Sequence, residues 1–346
     1  MVQATLVDCP GHASLIRTVI GGAQIIDLVI LVVDAAKGIQ TQTAECLILA
    51  EITCPKNMIV VLNKMDLVAD STAVTKLEKR LRKVLEPTSF AKVPLVRLSA
   101  APGANPTNNP NDIDNLISVL QDALYVPKRS NEGDFLFLVD HCFSIRGQGT
   151  VTTGTVLSGN LSVGSTVEIP ALREQKKVKS IQVFKKPVNS VIQGDRCGIC
   201  VAALEANNFE RGLLASPGAV TAVEAAVVSV ERIQYFKPAL QNKARFHVSI
   251  GHETVMGQFS FFSGTLPTDE TTNLNSFDFE RDYNHVEQIT LEAAKDKTVK
   301  FYAFVQLQNP VLCPKNSLFI ASRLDTDIHA NTCRLAFHGT NYQKIF

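Results

Sequence analysis

The chain predicts two architectures in series, an α/β block over residues 1–127 and then an all-β region. Three observations predict this. Short apolar runs alternate with helix-length stretches up to residue 126, a polar linker follows at Lys128–Asp134, and beyond it glycine turns separate short strands of alternating polarity. Alternating strands and helices mean a parallel sheet with helices on both faces. Short strands at even spacing with turn signals mean barrels.

In the first block, Ala4-Thr5-Leu6-Val7 reads as a strand ending at Asp8, and Ser14–Gln24 as a helix weakened by Gly21-Gly22. Strands follow at 28–33, 58–62 and 94–98, with helices near 41–53, 71–86 and 112–124. Ala101–Asn111, rich in Pro, Gly and Asn, is a loop. Beyond the linker, strands are expected at 135–143, 150–157, 166–169, 177–184 and 197–204 within a barrel over 134–218. A second barrel spans 219–340, with strands over about 221–262 and 299–338. Between them, Leu266–Lys297 reads as a polar, aperiodic insertion or long loop.

Chemistry concentrates at the ends of the apolar strands. Asp8-Cys9-Pro10-Gly11-His12 follows the first, Asn63-Lys64-Met65-Asp66 follows Met58–Leu62, and Ser99-Ala100 follows Pro94–Leu98. These are the D-x-x-G and N-K-x-D elements of a GTPase in their usual order, with the small-residue loop that closes over a base oxygen. Asp8 can hold magnesium, and Gly11 can bring a backbone N–H to a γ-phosphate where a side chain would clash. His12 is placed to orient an attacking water. Asn63 can bond the Hoogsteen edge of a purine, and the Lys64 stem can pack on the base. Asp66 can accept from the ring N–H and exocyclic amine of guanine, which rejects bases lacking those donors. D-x-x-G alone is a weak signal, but three elements in order each at a strand end are not chance. No G-x-x-x-x-G-K-[ST] phosphate loop precedes Asp8. The block therefore reads as an N-terminally truncated P-loop-type G domain, a class that takes GTP/GDP and Mg2+, and is expected to be inactive as a GTPase in this form. A start inside a core strand reads as a truncated gene model, a splice form or a fragment.

Composition narrows the setting. A formal net charge of +1 over 346 residues argues against bulk electrostatic binding of nucleic acid, though not against a local basic patch. Eight scattered cysteines without a signal peptide point to a reducing, cytoplasmic setting. The longest apolar run, Leu28–Val33, is too short to span a bilayer, so no membrane partner is expected.

The chain resembles the elongation-factor family of translational GTPases, and within it the selenocysteine-specific branch of eukaryotes. The resemblance rests on V-D-C-P-G-H-A-S-L-I-R-T-V-I-G-G-A-Q-I-I-D at 7–27, V-D-H-C-F-S-I-R-G-Q-G-T-V at 139–151 and Q-G-D-R-C-G-I-C at 193–200. G-H-E-T-V-M-G at 251–257 and S-R-L-D-T-D-I-H-A-N-T-C-R-L-A-F-H-G at 322–339 are specific to that branch. It implies a G domain followed by two β-barrels, and GTP-dependent delivery of selenocysteyl-tRNA to the ribosome. It also implies that Asp140, His141 and Arg196 line the aminoacyl pocket. A selenol is more acidic than a thiol, so a cationic pocket would favour selenocysteine over serine or cysteine. Without the resemblance, Asp140-His141 would read as a strand end and Asp195-Arg196 as a turn ion pair. The family's phosphate loop and first switch are missing, as is its fourth domain, which would reach an mRNA-signal-binding protein. Two alternatives stand beside this reading: a non-catalytic tRNA- or partner-binding remnant, and another translational GTPase such as an initiation-factor γ subunit.

Other features read as structure. Cys197-Gly198-Ile199-Cys200 lies on a strand with no second cysteine pair nearby, so its thiols belong to a core rather than to zinc or redox chemistry. Gly159–Thr166 nearly matches a phosphate loop but has Ser165 where lysine is needed, and is a hairpin turn. Six basic residues (Arg173, Lys176, Lys177, Lys179, Lys185 and Lys186) face one acid, Glu174, between 173 and 186. They suit either RNA phosphates or a solvated strand face. His247, His252, His329 and His338 offer no metal-site spacing.

Overall fold

A computed structural model describes residues 4–9, 25–54, 56–101, 111–147, 149–205, 209–251, 253–265, 277–296, 298–325 and 332–342. They fall into two compact units divided after Pro127.

The first unit contains β1 (Val29–Asp34), α1 (Thr41–Thr53), β2 (Met58–Asn63), a 3₁₀ turn (Met65–Leu67), α2 (Ser71–Leu85), β3 (Leu95–Arg97) and α3 (Asn111–Ala123). The strands form a parallel sheet in the order β1-β2-β3. Strand alternation sorts the side chains by face. Val60 and Leu62 pack with Leu47, Leu77, Leu81 and Leu85 on one side. Ile59 and Val61 pack with Val96, Leu116 and Leu120 on the other. Burial on both faces explains why β2 reads as the uninterrupted apolar run Met58–Leu62. In α2, Val74, Leu77, Leu81 and Leu85 form the buried stripe, and the Asp70 carboxylate caps the helix by accepting from Thr72 N–H at 2.8 Å.

One expected strand is not formed. Ala4–Val7 joins no sheet, and Leu6 and Val7 are exposed. An apolar run becomes a strand only when an edge takes up its backbone groups. Among the described residues β1 pairs with β2 alone, and Val32 on β1 is 57% exposed. The helix expected at Ser14–Gln24 lies outside the described residues.

The second unit is all-β. Its first part contains β4 (Leu136–Ile145), β5 (Gly149–Ser158), β6 (Asn160–Ser162), β7 (Thr166–Ile169), β8 (Glu174–Val183), β9 (Lys186–Val188), β10 (Ser190–Ile192), β11 (Arg196–Val201) and β12 (Gly212–Ala215). The order β11-β5-β4-β12-β7-β8 closes through a β8–β11 ladder into a six-stranded barrel around Phe137, Val139, Val156, Ile169, Ile181 and Ile199. Strand β9 continues the sheet beyond β8, and β6 pairs with β10. Gly159 and Gly164 take positive φ, +67° and +88°, on either side of β6, so the stretch likened to a phosphate loop is a turn carrying one short strand. Strands β6, β9, β10 and β12 were not expected; each has three or four residues, too few to show a period.

The second part contains β13 (Val220–Arg232), β14 (Leu240–Gln241), β15 (Arg245–Ile250), β16 (Glu253–Thr265), β17 (Asn284–His285), β18 (Gln288–Ile289), β19 (Val299–Pro314), β20 (Leu318–Ser322) and β21 (Leu335–Thr340). The order β15-β20-β21-β13-β19-β16 closes through β15–β16 into a second six-stranded barrel. Its centre is aromatic: Phe246, Phe259, Phe319 and Phe337 are fully buried, and the first three meet the Phe337 ring edge to face, as at 5.0 Å between Phe259 and Phe337.

The region 266–297 departs from expectation. Residues 266–276 and 297 lie outside the described ones, but 277–296 is built structure rather than a loop. It holds β17 and β18, stacks Phe277 on Tyr283 at 4.8 Å, and buries Ile289 completely. Its apolar residues join two clusters, Phe277 and Tyr283 one and Val286 and Ile289 the other, from irregular sequence positions, so no period marks them. Among the described residues no helix is long and apolar enough to cross a membrane.

Candidate functional site

Parallel strands present the loops at their carboxyl ends to ligands. In register, Asp34 at the end of β1 faces Asn63 at the end of β2, and Ser99-Ala100 follows β3. Asn63 Oδ1 accepts from Lys64 N–H at 2.8 Å and from Ala100 N–H at 3.0 Å. With its oxygen so engaged, the amide NH2 of Asn63 is the group left to meet an acceptor such as a purine nitrogen. Lys64 stands in the left-handed region at φ 63°, which starts the 3₁₀ turn. Met65 N–H donates to Leu98 O at 3.3 Å and ties that turn to the end of β3. The Ser99 hydroxyl donates to Asp66 Oδ1. Thus Asn63, Lys64, Met65, Asp66, Ser99 and Ala100 form one connected cluster that carries an amide donor and a carboxylate acceptor.

Asp34 belongs to this cluster, and sequence reasoning did not single it out. Its Oδ2 lies 2.8 Å from Lys64 Nζ. The lysine ammonium, aided by the N–H groups of Lys37 and Ala36, holds its carboxyl below the usual carboxylate range. The available signal was an acid ending a buried strand, one register step from Asn63.

The phosphate side is less complete. Asp8 and Cys9 are exposed and outside any strand; Pro10, Gly11 and His12 lie outside the described residues. Asp8 is a hard oxygen donor of the kind magnesium takes. No group of three or more His, Cys, Asp or Glu comes together among the described residues.

The second cluster arises from a bulge in the first barrel. Across β4 and β5, Val139 opposes Gly154 and His141 opposes Thr153, so Asp140 is the extra residue. A bulge re-aims a side chain, and Gly154 permits this one: a Cβ there would sit 1.8 Å from Leu138 O. Asp140 Oδ2 lies 2.6 Å from Nη2 of Arg196 at the start of β11, with the two side chains 24% and 34% exposed. Arg196 Nη1 donates to Thr155 Oγ1 at 3.0 Å. The turn pair Asp195-Arg196 does not form; Asp195 instead accepts from Ile192 N–H. His141 is exposed on β4.

A groove of about 470 Å³ adjoins Arg196, lined by Phe143, Ile145, Gln182, Phe184 and Lys185 among others. Phe143 and Phe184 are 44% and 45% exposed, so two aromatic faces are open to solvent. Phe184 and Lys185 form the two-residue β8–β9 turn with both φ positive, 49° and 63°, the geometry that matches strand twist. These groove residues were also not singled out. Of the basic run, Lys176 pairs with Glu174 at 2.9 Å, and the other five face solvent around β8 and its turns.

The remaining described candidates have structural settings. Cys197 and Cys200 are both buried, and burial pushes the Cys197 thiol up to about 12. His338 lies 3.8 Å from Glu231, and burial lowers its pKa. His247 Nδ1 accepts from Leu324 N–H at 3.4 Å. His252 and His329 lie outside the described residues.

Comparison with known proteins fits this architecture. Residues 1–128 match the elongation factor Tu GTP-binding domain, 149–214 match elongation factor Tu domain 2, and 227–339 match the third domain of eukaryotic selenocysteine-specific elongation factors. The selenocysteine-specific elongation factor of Mus musculus is 48% identical over 372 positions, covering 100% of this chain and 64% of that protein. The protein of that name from Methanocaldococcus jannaschii is 35% identical over 256 residues, covering 73% of this chain and 53% of that protein. The chain thus spans less than two thirds of either relative's length. The crystal structure of translation elongation factor SelB from Methanococcus maripaludis, in complex with the GTP analogue GPPNHP, superposes with a TM-score of 0.78 at 30% identity, over 97% of this chain and 70% of that one. By sequence along its whole length and by the fold of its G domain and two barrels, the chain belongs to the selenocysteine-specific elongation factors.

Proposed function

We propose that this chain serves GTP-dependent delivery of selenocysteyl-tRNA to the ribosome in the cytoplasm, with the α/β unit reading guanine and the first barrel holding the aminoacyl end. In this reading Asn63, Lys64, Asp66, Ser99 and Ala100 contact the base. Asp8 serves magnesium, Gly11 the γ-phosphate and His12 the attacking water.

The observation that carries the proposal is the Asp140–Arg196 pair on the bulged strand. Selenocysteine esterified to tRNA offers an ammonium and a selenolate on one small group. It can open the pair by giving its cation to Asp140 and its anion to Arg196. Serine offers only the ammonium, so it would leave Arg196 uncompensated, and that penalty supplies the discrimination. His141, adjacent to Asp140 on β4, belongs to the same pocket in this reading. The adjoining groove suits the terminal nucleoside, with Phe143 and Phe184 as stacking faces and Lys185 near its phosphate.

The test replaces Arg196 with alanine and compares selenocysteyl- and seryl-tRNA built on one tRNA body. A hydrogen bond to a charged group is worth about 1.5–3 kcal/mol, and partial exposure keeps this one near the lower end, so preference should fall about tenfold. Equal loss for both aminoacyl-tRNAs refutes the pocket assignment. One observation favours a second reading, a tRNA-binding chain without hydrolysis: Asp8 lies on an exposed segment outside the sheet. Turnover of GTP by this chain would refute it.

A further inference from the structure

Asp34 divides its two carboxylate oxygens between two tasks. Oδ1 accepts from Ala36 N–H at 2.9 Å and Lys37 N–H at 3.2 Å, which closes the turn after β1. Oδ2 holds the Lys64 ammonium at 2.8 Å. We infer that Asp34 is a positioning residue for guanine recognition, tethering Lys64 so that its methylene stem is held in place to cover the face of a bound base. The inference rests on the guanine reading of the α/β unit and adds a residue to it.

The geometry supports tethering in three ways. First, Asp34 is the anchored partner: it ends a sheet strand, its own carbonyl accepts from Gly38 N–H at 2.8 Å, and its side chain is 20% exposed against 50% for Lys64. Second, the lysine backbone is independently fixed. Its N–H donates to Asn63 Oδ1 at 2.8 Å and its carbonyl accepts from Leu67 N–H at 3.1 Å. With backbone and ammonium both held, the four-carbon stem has few conformers left. Third, Asn63 and Asp66 flank Lys64, so the stem runs beside the groups that would meet the base edge. An untethered lysine loses rotamer freedom when a base packs on it, and a tethered one has lost it already.

The test titrates the whole isotope-labelled chain with guanosine diphosphate to millimolar concentration, following amide resonances of 63–66 and 99–100. Asp34→Asn keeps an oxygen for the turn but loses the charge that holds Lys64. It should weaken binding about twofold to fivefold, the range for an exposed ion pair, and less at high salt. In a Lys64→Met background the same change should have no further effect. Equal loss in both backgrounds, or tighter binding by Asp34→Asn, overturns the inference. Asp66→Ala separates the two levels. If it abolishes the preference for guanosine over adenosine diphosphate while Asp34→Asn does nothing, only the role of Asp34 falls. If Asp66→Ala changes nothing, or no nucleotide shifts these resonances, the guanine reading falls and the role of Asp34 with it.

Discussion

Gly154→Ala tests whether the bulge that aims Asp140 depends on close approach of two strands. The new Cβ would lie 1.8 Å from Leu138 O, 2.8 Å from Leu138 C and 3.1 Å from Phe137 Cζ. Cβ atoms essentially never come within 3.0 Å of another heavy atom, so β4 and β5 must part by more than 1 Å, and the obstacle is backbone. That movement breaks ladder bonds beside the Val139/His141 register shift and strains the fully buried Phe137. Overpacking a core costs about 1–3 kcal/mol, and backbone against backbone lies at or above the upper end, so about 3 kcal/mol is expected. With a urea slope of about 1–2 kcal/mol/M for a small barrel, the midpoint should fall by roughly 1.5–3 M. The chain has no tryptophan, so circular dichroism and hydrogen exchange are the suitable probes. Exchange should rise in Leu136–Ile145 and Gly149–Ser158 while the aromatic barrel stays protected. A variant with wild-type stability and wild-type exchange in those strands would refute the close-approach argument.

Two further outcomes follow from the sites. Asp66→Asn should move nucleotide preference from guanine toward xanthine, because an amide can donate to the xanthine carbonyl where a carboxylate cannot. Competition between the two nucleotides decides it, and unchanged guanine preference removes Asp66 from its role. Cys197 should resist alkylation in the folded chain at pH 8 and react once the chain is unfolded in urea, as mass spectrometry of labelled peptides would show. Burial keeps the folded Cys197 thiol protonated to about 12 against an ordinary value of 9.0. Above 9.0 the unfolded state therefore binds fewer protons than the folded one, and stability should fall as pH rises from there toward 12.

Much of this was legible because the relevant physics is local. Buried parallel strands announce themselves as apolar runs, and the motif residues sit directly after them, so Asn63, Asp66 and Ser99 could be placed before any coordinates. What was not legible depends on partners far along the chain. Ala4–Val7 has the composition of a strand, but whether it pairs is decided by an edge elsewhere. Strands such as Lys186–Val188 are too short to show alternation. Phe277, Tyr283 and Ile289 look like polar-loop residues until the second barrel gathers them. Asp34 and Phe184 share this reason: Lys64 lies thirty residues from Asp34, and the groove beside Phe184 needs both the β4 and the β8–β9 turns to exist. The Asp140–Arg196 contact required the register of three strands; resemblance put the two residues near one pocket, but nothing in the sequence paired them.

Closure of the first barrel bears on what the site proposed for the aminoacyl group could sense. Because β8 meets β11, the strands carrying Asp140, Thr155 and Arg196 belong to an unbroken hoop of backbone hydrogen bonds. A hoop has no loose end to swing aside for a bulkier guest, so the site behaves as an electrical gauge on a stiff frame. Selenium and sulfur differ little in how they would spread such a frame, but near neutral pH a selenol is ionised where a thiol is mostly neutral. On the proposed reading, selenocysteine is told from cysteine by that charge while the scaffold stays still.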